Sequence, residues 1–157
     1  MSKNKENIVG IHSVRILLKL RPFDVYEIYV SDKSSKKFNE ILNLSQKNNI
    51  TVQTMSNDKI YSISNVKTHQ GVLAVAKKKE EIFESNLIEF LSKKPNNQIL
   101  LIIDDISDPR NLGACLRICD AYNVSAVIIK DHDTLAINET VKKVAAGSAE
   151  TTPIIKV

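Results

Sequence analysis

Among the residues of this 157-residue sequence that could do chemistry, the densest group is DPRNLGACLR, residues 108–117. It follows an apolar run, residues 99–103, and so stands where a strand hands over to a helix, the usual place for a site in an open parallel α/β sheet. Asp108 can cap that helix and Pro109 can take its first position. Capping accounts for these two residues and asks nothing of Asn111 or of the arginines at 110 and 117. Seven residues apart, Arg110 and Arg117 share a helix face with Gly113, Ala114 and Ala121, opposite an expected buried face of Leu112, Cys115, Leu116, Cys119 and Tyr122. A small-residue face lets a backbone, a ligand or a second subunit come close, and a guanidinium there can bind phosphate or carboxylate. An ordinary solvated helix face is the plain alternative.

Two further groups are weaker. Asp104 and Asp105 end one apolar run and Lys130 ends the next, a set that could hold Mg²⁺ as in a receiver-type phosphorylation pocket. Such a pocket needs another acceptor Asp at a neighbouring strand end, and the closing run IIKV offers none. His69-Gln70-Gly71 enters an apolar run. Gln can read a base edge and His can stack on one, although three residues at a strand entrance also serve as turn chemistry. Cys115 and Cys119 read as small hydrophobes on one helix, and the three histidines are scattered, so no metal site and no structural disulfide is expected.

The elements that must position these groups form two sets. In residues 1–76, an apolar start leads into a helix that Pro22 stops, strands are expected at 25–30, 50–54 and 69–76, and helices at 36–47 and after Ser56 or Asn57 as N-cap. This alternation predicts an α/β sandwich. Residues 77–84, KKKEEIFE, read as a linker. Residues 85–157 then give a short helix ending at Pro95, one βαβ unit over 98–130, a helix capped by Asn138 and a last strand from Ile154, with a bare final edge. The charge divides along the same line. Residues 1–80 carry 14 Lys+Arg against 7 Asp+Glu, or +7, and residues 81–157 carry 8 against 11, or −3. A basic first half suits a polyanion. No apolar run approaches a membrane span and the N-terminus has no apolar signal core, which leads to the expectation of a cytoplasmic protein without membrane contact.

The stretch IIDDISDPRNLGACLRICDAYNVSAVII resembles the first motif of the SpoU (TrmH) branch of the SPOUT RNA 2′-O-ribose methyltransferases, with DP-x-N-x-G-x-x-x-R in register. The resemblance extends to IVGIHSV, THQGVLAV and NETVKKVAAGSAETTPIIKV, and is nearest to the bacterial enzymes that methylate a guanosine 2′-hydroxyl in large-subunit (23S) ribosomal RNA. It implies an N-terminal RNA substrate-binding domain similar to ribosomal protein L30e (1–76), the linker, and the first βαβαβ part of an α/β-knot SPOUT domain (85–157). It also implies S-adenosylmethionine as methyl donor, structured RNA as partner and a homodimer. On this reading Asn111 and Arg117 are the catalytic residues, and Arg15, His69, Gln70 and Arg110 are candidate RNA contacts. The family's second and third motifs, with Gly-x-Glu and Ser-Leu-Asn segments, fall beyond Val157. The knot and the donor site are therefore expected outside this sequence, which would be inactive alone. A non-catalytic RNA-binding protein built on the basic half is the alternative.

Overall fold

The computed structural model describes residues 4–94, 97–131 and 137–157, arranged in two compact units, Met1–Lys78 and Lys79–Val157. In the first unit the chain runs β1 (Lys5–Val9), α1 (Ile11–Leu20), β2 (Val25–Val30), α2 (Asn39–Lys47), β3 (Val52–Thr54), α3 (Asn57–Ser64) and β4 (Val72–Lys77). The sheet order is β1-β4-β2-β3, with β4 antiparallel to both neighbours and β2 parallel to β3. Helix α1 buries Val14, Leu17 and Leu18 at helical spacing and ends before Pro22, which cannot continue it. With Phe38 and Ile41 these side chains cover Ile28, Val30, Val72 and Ala74 on one face of the sheet. On the other face α3, capped by Ser56 and closed by Asn65 in the left-handed region, packs Ile60 against Val9 and Leu73. The expected sandwich is therefore present. One strand goes beyond the apolar pattern: KENIV, half polar, forms β1 because its adjacent residues Asn7 and Ile8, on opposite faces of the sheet, both find cover.

The second unit is a parallel sheet of order β5-β8-β7-β6, from β5 (Ile82–Phe83), β6 (Leu100–Ile103), β7 (Ala126–Ile129) and β8 (Ile154–Lys156). Strand β7 is buried on both faces, as central parallel strands are, which is why it reads as an unbroken apolar run. Helices α5 (Pro109–Ala121), α6 (Glu139–Ala145) and α7 (Ser148–Thr151) share a core with Val127 and Ile129. Helix α4 (Leu87–Ser92) packs Leu87 and Phe90 over Ala126, Ile128 and Ile155 on the opposite face.

Three expectations change here. The last strand is not a bare edge, because Ile82 and Phe83 pair with Ile155 and Lys156. Those two residues come from the charge run expected to be a featureless linker. Lys77 completes β4 and the division between units falls after Lys78, so the segment without structure is shorter than 77–84. Among the described residues the edge strands are β5 and β6, and on β6 Ile102 is 70% exposed.

Candidate functional site

Strand β6 ends at Ile103, and five residues later Asp108 caps α5 by accepting the Arg110 backbone N–H at 2.8 Å, with Pro109 in the first turn. The cap and the proline set the direction in which the first turn presents Arg110 and Asn111. Burial along α5 follows Leu112, Gly113, Leu116 and Cys119. This differs from the expected face: Tyr122 is 73% exposed and Cys115 half-buried, whereas Gly113 is buried. The cause is α6. A Cβ on Gly113 would stand 2.7 Å from Val144 Cβ and 3.0 Å from the Val141 carbonyl oxygen, so the close approach that the glycine permits is taken by a neighbouring helix of the same unit.

The two arginines remain exposed on one ridge, about 10 Å apart along the axis at 1.5 Å per residue. Asn111, also exposed, lies roughly a third of a turn round from Arg117, on the stripe that carries Cys115, Ile118 and Tyr122. Among the described residues, no hydrogen bond or ion pair engages the side chains of Arg110, Asn111 or Arg117. Their surface is thus open, cationic along one line, with a neutral amide beside it. A guanidinium there can take a phosphate in a bidentate grip, and the amide can donate and accept at a hydroxyl.

The other candidates lie elsewhere. Lys130 Nζ stands 2.7 Å from Asp104 Oδ1 and holds that carboxyl below the usual carboxylate range. Among the described residues no cluster of three or more His, Cys, Asp or Glu could hold a metal ion. His132 lies outside the described residues.

In the first unit the HQG sequence is turn chemistry in its geometry. His69 is buried, its Nδ1 accepting the Gly71 N–H at 3.0 Å, and is not placed to stack on a base. Gln70 sits in the left-handed region, its Oε1 accepting the Ile11 N–H at 2.8 Å, while its carbonyl accepts Lys37 Nζ. Among the described residues its amide nitrogen makes no hydrogen bond and is left to read a partner. Arg15 is paired with Glu40 at 2.7 Å, and Lys19 reaches the same carboxylate at 2.9 Å, so Arg15 ties α1 to α2. These two cations keep the Glu40 carboxyl below its ordinary range, Lys19 contributing most. Sequence reasoning missed Lys79. Its ammonium donates to the carbonyls of Ala149 and Glu150 at 3.1 and 2.9 Å, closing the end of α7, and nothing in a KKKEE run distinguishes one such lysine.

Two family models match the chain: RNA 2′-O ribose methyltransferase substrate binding over residues 7–82, and the SpoU rRNA methylase family over residues 98–157. The chain belongs to the SpoU family. The 23S rRNA (guanosine-2′-O-)-methyltransferase RlmB of Neisseria meningitidis serogroup B is 39% identical over 156 residues, 98% of this chain and 61% of that protein. The Coxiella burnetii protein of the same name is 36% identical over 158 residues, the whole of this chain and 62% of its own. The chain thus spans about three-fifths of the length of these curated relatives. Among solved structures, the SpoU methyltransferase AviRb from Streptomyces viridochromogenes, in complex with AdoMet, superposes with a TM-score of 0.74 at 17% identity, over 98% of this chain and 54% of that one. The AdoMet-bound rRNA methyltransferase from Sinorhizobium meliloti gives 0.71 at 17%, with the same coverage. At that identity the likeness speaks to the fold, and the fold is that of the SpoU methyltransferases in both units.

No helix among the described residues is long and apolar enough to cross a membrane.

Proposed function

We propose that this chain carries the RNA-binding unit and the first part of the catalytic unit of an S-adenosylmethionine-dependent methyltransferase acting on a ribose 2′-hydroxyl of 23S ribosomal RNA in the cytoplasm. The observation that carries the reading is the tandem order of the two family models within one chain. The first unit brings positive charge to the RNA, and the exposed arginine ridge of α5 meets the target nucleotide. A ribose hydroxyl is a weak nucleophile. Arg117 engages the adjoining phosphate and favours the alkoxide form of the hydroxyl, while Asn111 fixes its direction of approach. Arg110, on the same ridge, adds a second phosphate contact.

The methyl group comes from the donor. The residues described here do not cradle it: α5 presents an open surface, and its one glycine is covered by Val144. The reading includes a homodimer, supported by the exposed stripe of Ile118 and Tyr122 on α5. Sedimentation velocity checks this, with Tyr122→Glu expected to shift the protein toward monomer.

Function is tested with the protein as encoded. Arg117→Ala and Asn111→Ala are expected to lower methyl transfer to 23S rRNA at least a hundredfold while changing RNA affinity less than threefold, since the binding charge lies mainly in the first unit. Equal loss of binding would make Arg117 a docking contact. A protein that binds the RNA tightly but methylates none of it would instead be a non-catalytic RNA-binding protein.

A further inference from the structure

Three loops of the first unit meet at one end of its sheet. Strand register sets the C-terminal ends of β1 and β2 beside the first residues of β4, with Val9 opposite Leu73 and Val30 opposite Val72. The entrance to α1 at Gly10, the loop 31–38 and the turn 69–71 therefore lie together. Hydrogen bonds close the junction: Ser31 N–H donates to the Gly71 carbonyl at 2.8 Å, Ile11 N–H to Gln70 Oε1 at 2.8 Å and Lys37 Nζ to the Gln70 carbonyl at 3.3 Å. Gln70 and Gly71 are both left-handed, with φ of 59° and 77°, and a Cβ at 71 would run into Ser31 Oγ, so the turn is held in one place.

The polar groups of this turn are one-sided. Its acceptors already have donors within the unit: His69 Nδ1 takes the Gly71 N–H, the His69 carbonyl takes the Val72 N–H, and Gln70 Oε1 and the Gln70 and Gly71 carbonyls are engaged as above. What it turns outward is a donor, for Gln70 is exposed and its Nε2 makes no hydrogen bond among the described residues. Lys37, also exposed, is fixed beside it by the Gln70 carbonyl and by the Phe38 ring, whose centre is 4.6 Å from Nζ, and keeps donors to spare. Lys33 and Lys36 follow on the same loop, while its single carboxylate, Asp32, is drawn onto the Ser34 N–H and hydroxyl at 2.9 and 2.8 Å.

The side-chain type at 70 adds to this. Holding the Ile11 N–H at the start of α1 asks only for an acceptor, and a carboxylate would do it better, with a charge-assisted bond at the positive end of the helix. Glutamine forgoes that gain and presents an NH₂ instead. A ligand that meets donors alone, with lysines alongside, carries negative charge and an acceptor edge. Among the RNA bases guanine sets two acceptors, N7 and O6, side by side on an edge without a donor. Adenine places an N6 donor beside its N7, and the corresponding pyrimidine edge has one acceptor or none. Paired RNA hides that edge in its deep groove, so an accessible guanine is an unpaired one.

We infer that the 69–71 turn is a guanine-reading site, in which the Gln70 Nε2 hydrogens bond N7 and O6 of an unpaired guanine in RNA and Lys37 takes a phosphate beside it. This rests on the reading that the first unit binds RNA.

The test uses the full chain and RNA hairpins with a uridine loop in which one nucleotide is guanosine, inosine, 7-deazaguanosine or adenosine. Guanosine and inosine, which share N7 and O6, are expected to bind alike, and the other two roughly tenfold more weakly, within the range of a two-point base contact. In the ¹⁵N-labelled chain the guanosine hairpin should shift the side-chain amide of Gln70. Gln70→Glu should keep or raise the melting temperature and abolish the preference for guanosine, a separation that a purely structural Gln70 would not produce. Lys37→Met should weaken all four hairpins alike and lower the salt slope by about one. Equal binding of all four, a Gln70 side-chain amide that does not move, or a guanosine preference that survives Gln70→Glu would each overturn the inference. Retained binding of 23S rRNA in that case leaves the proposed function standing, whereas failure of the unaltered chain to bind any RNA sinks both.

Discussion

Single side chains of the second unit already separate by environment. Cys115 and Cys119 lie one turn apart on α5, yet Cys119 is buried and burial, helped by the neighbouring Cys115, pushes its thiol above the ordinary range. Brief alkylation at pH 8 followed by peptide mass spectrometry should therefore label Cys115 well before Cys119. Equal labelling would mean that α5 is not seated as described. The Asp104–Lys130 pair gives a pH signature. Because the folded carboxyl is held low, its small contribution is complete above the unfolded value of about 3.9 and fades only as pH falls through the lower folded value. A carboxyl ¹³C titration should place Asp104 below its usual range, and Lys130→Met should move it up. Both groups are exposed, so neutral-pH stability should hardly change. At this scale the sequence was informative where a residue acts locally. Asp108 and Asn138 read as caps and are caps, with bonds of 2.8 and 3.0 Å. It was less so for His69, whose burial depends on a turn that no periodicity reveals.

Helices and strands were legible to the extent that their own pattern fixed them. The wheel of α5 identified Leu112, Leu116 and Cys119 correctly but placed the buried arc too far toward Tyr122, because its direction is set by α6, whose docking on Gly113 is a tertiary fact. The two-residue β5 has no period at all and is a strand only because β8 lies beside it. The helix contact can be tested at its tightest point. Ala is favoured over Gly in a helix by about 1 kcal/mol, but Gly113→Ala forces a methyl into Val144 and a backbone oxygen, and overpacking of this kind costs about 1–3 kcal/mol. The clash should win. Urea unfolding followed through the β7 amides is expected to show a net loss of about 1 kcal/mol, and a gain would show that α6 yields easily.

For the whole molecule, charge rather than packing distinguishes the two units, and this was readable from composition: +7 over residues 1–80 against −3 thereafter. If the basic unit carries the RNA, affinity should fall steeply with salt. Reversing Lys33 and Lys36, both exposed, should then flatten the slope of log K against log salt by about 2, near one per lost phosphate contact. An unchanged slope would place the contacts elsewhere. The pairing of β1 with β4 has a consequence of a different kind. Lys5 lies opposite Lys77, and the Lys78 N–H donates to the Asn4 carbonyl at 3.0 Å, so the first unit is closed by its own two ends. During synthesis its sheet has no completed centre until residue 77 has left the ribosome, because β4 lies between β1 and β2. The sheet of the first unit is therefore completed only at its last strand, and with its entrance and exit side by side the unit is built as a cassette that evolution can lift out of one chain and set into another.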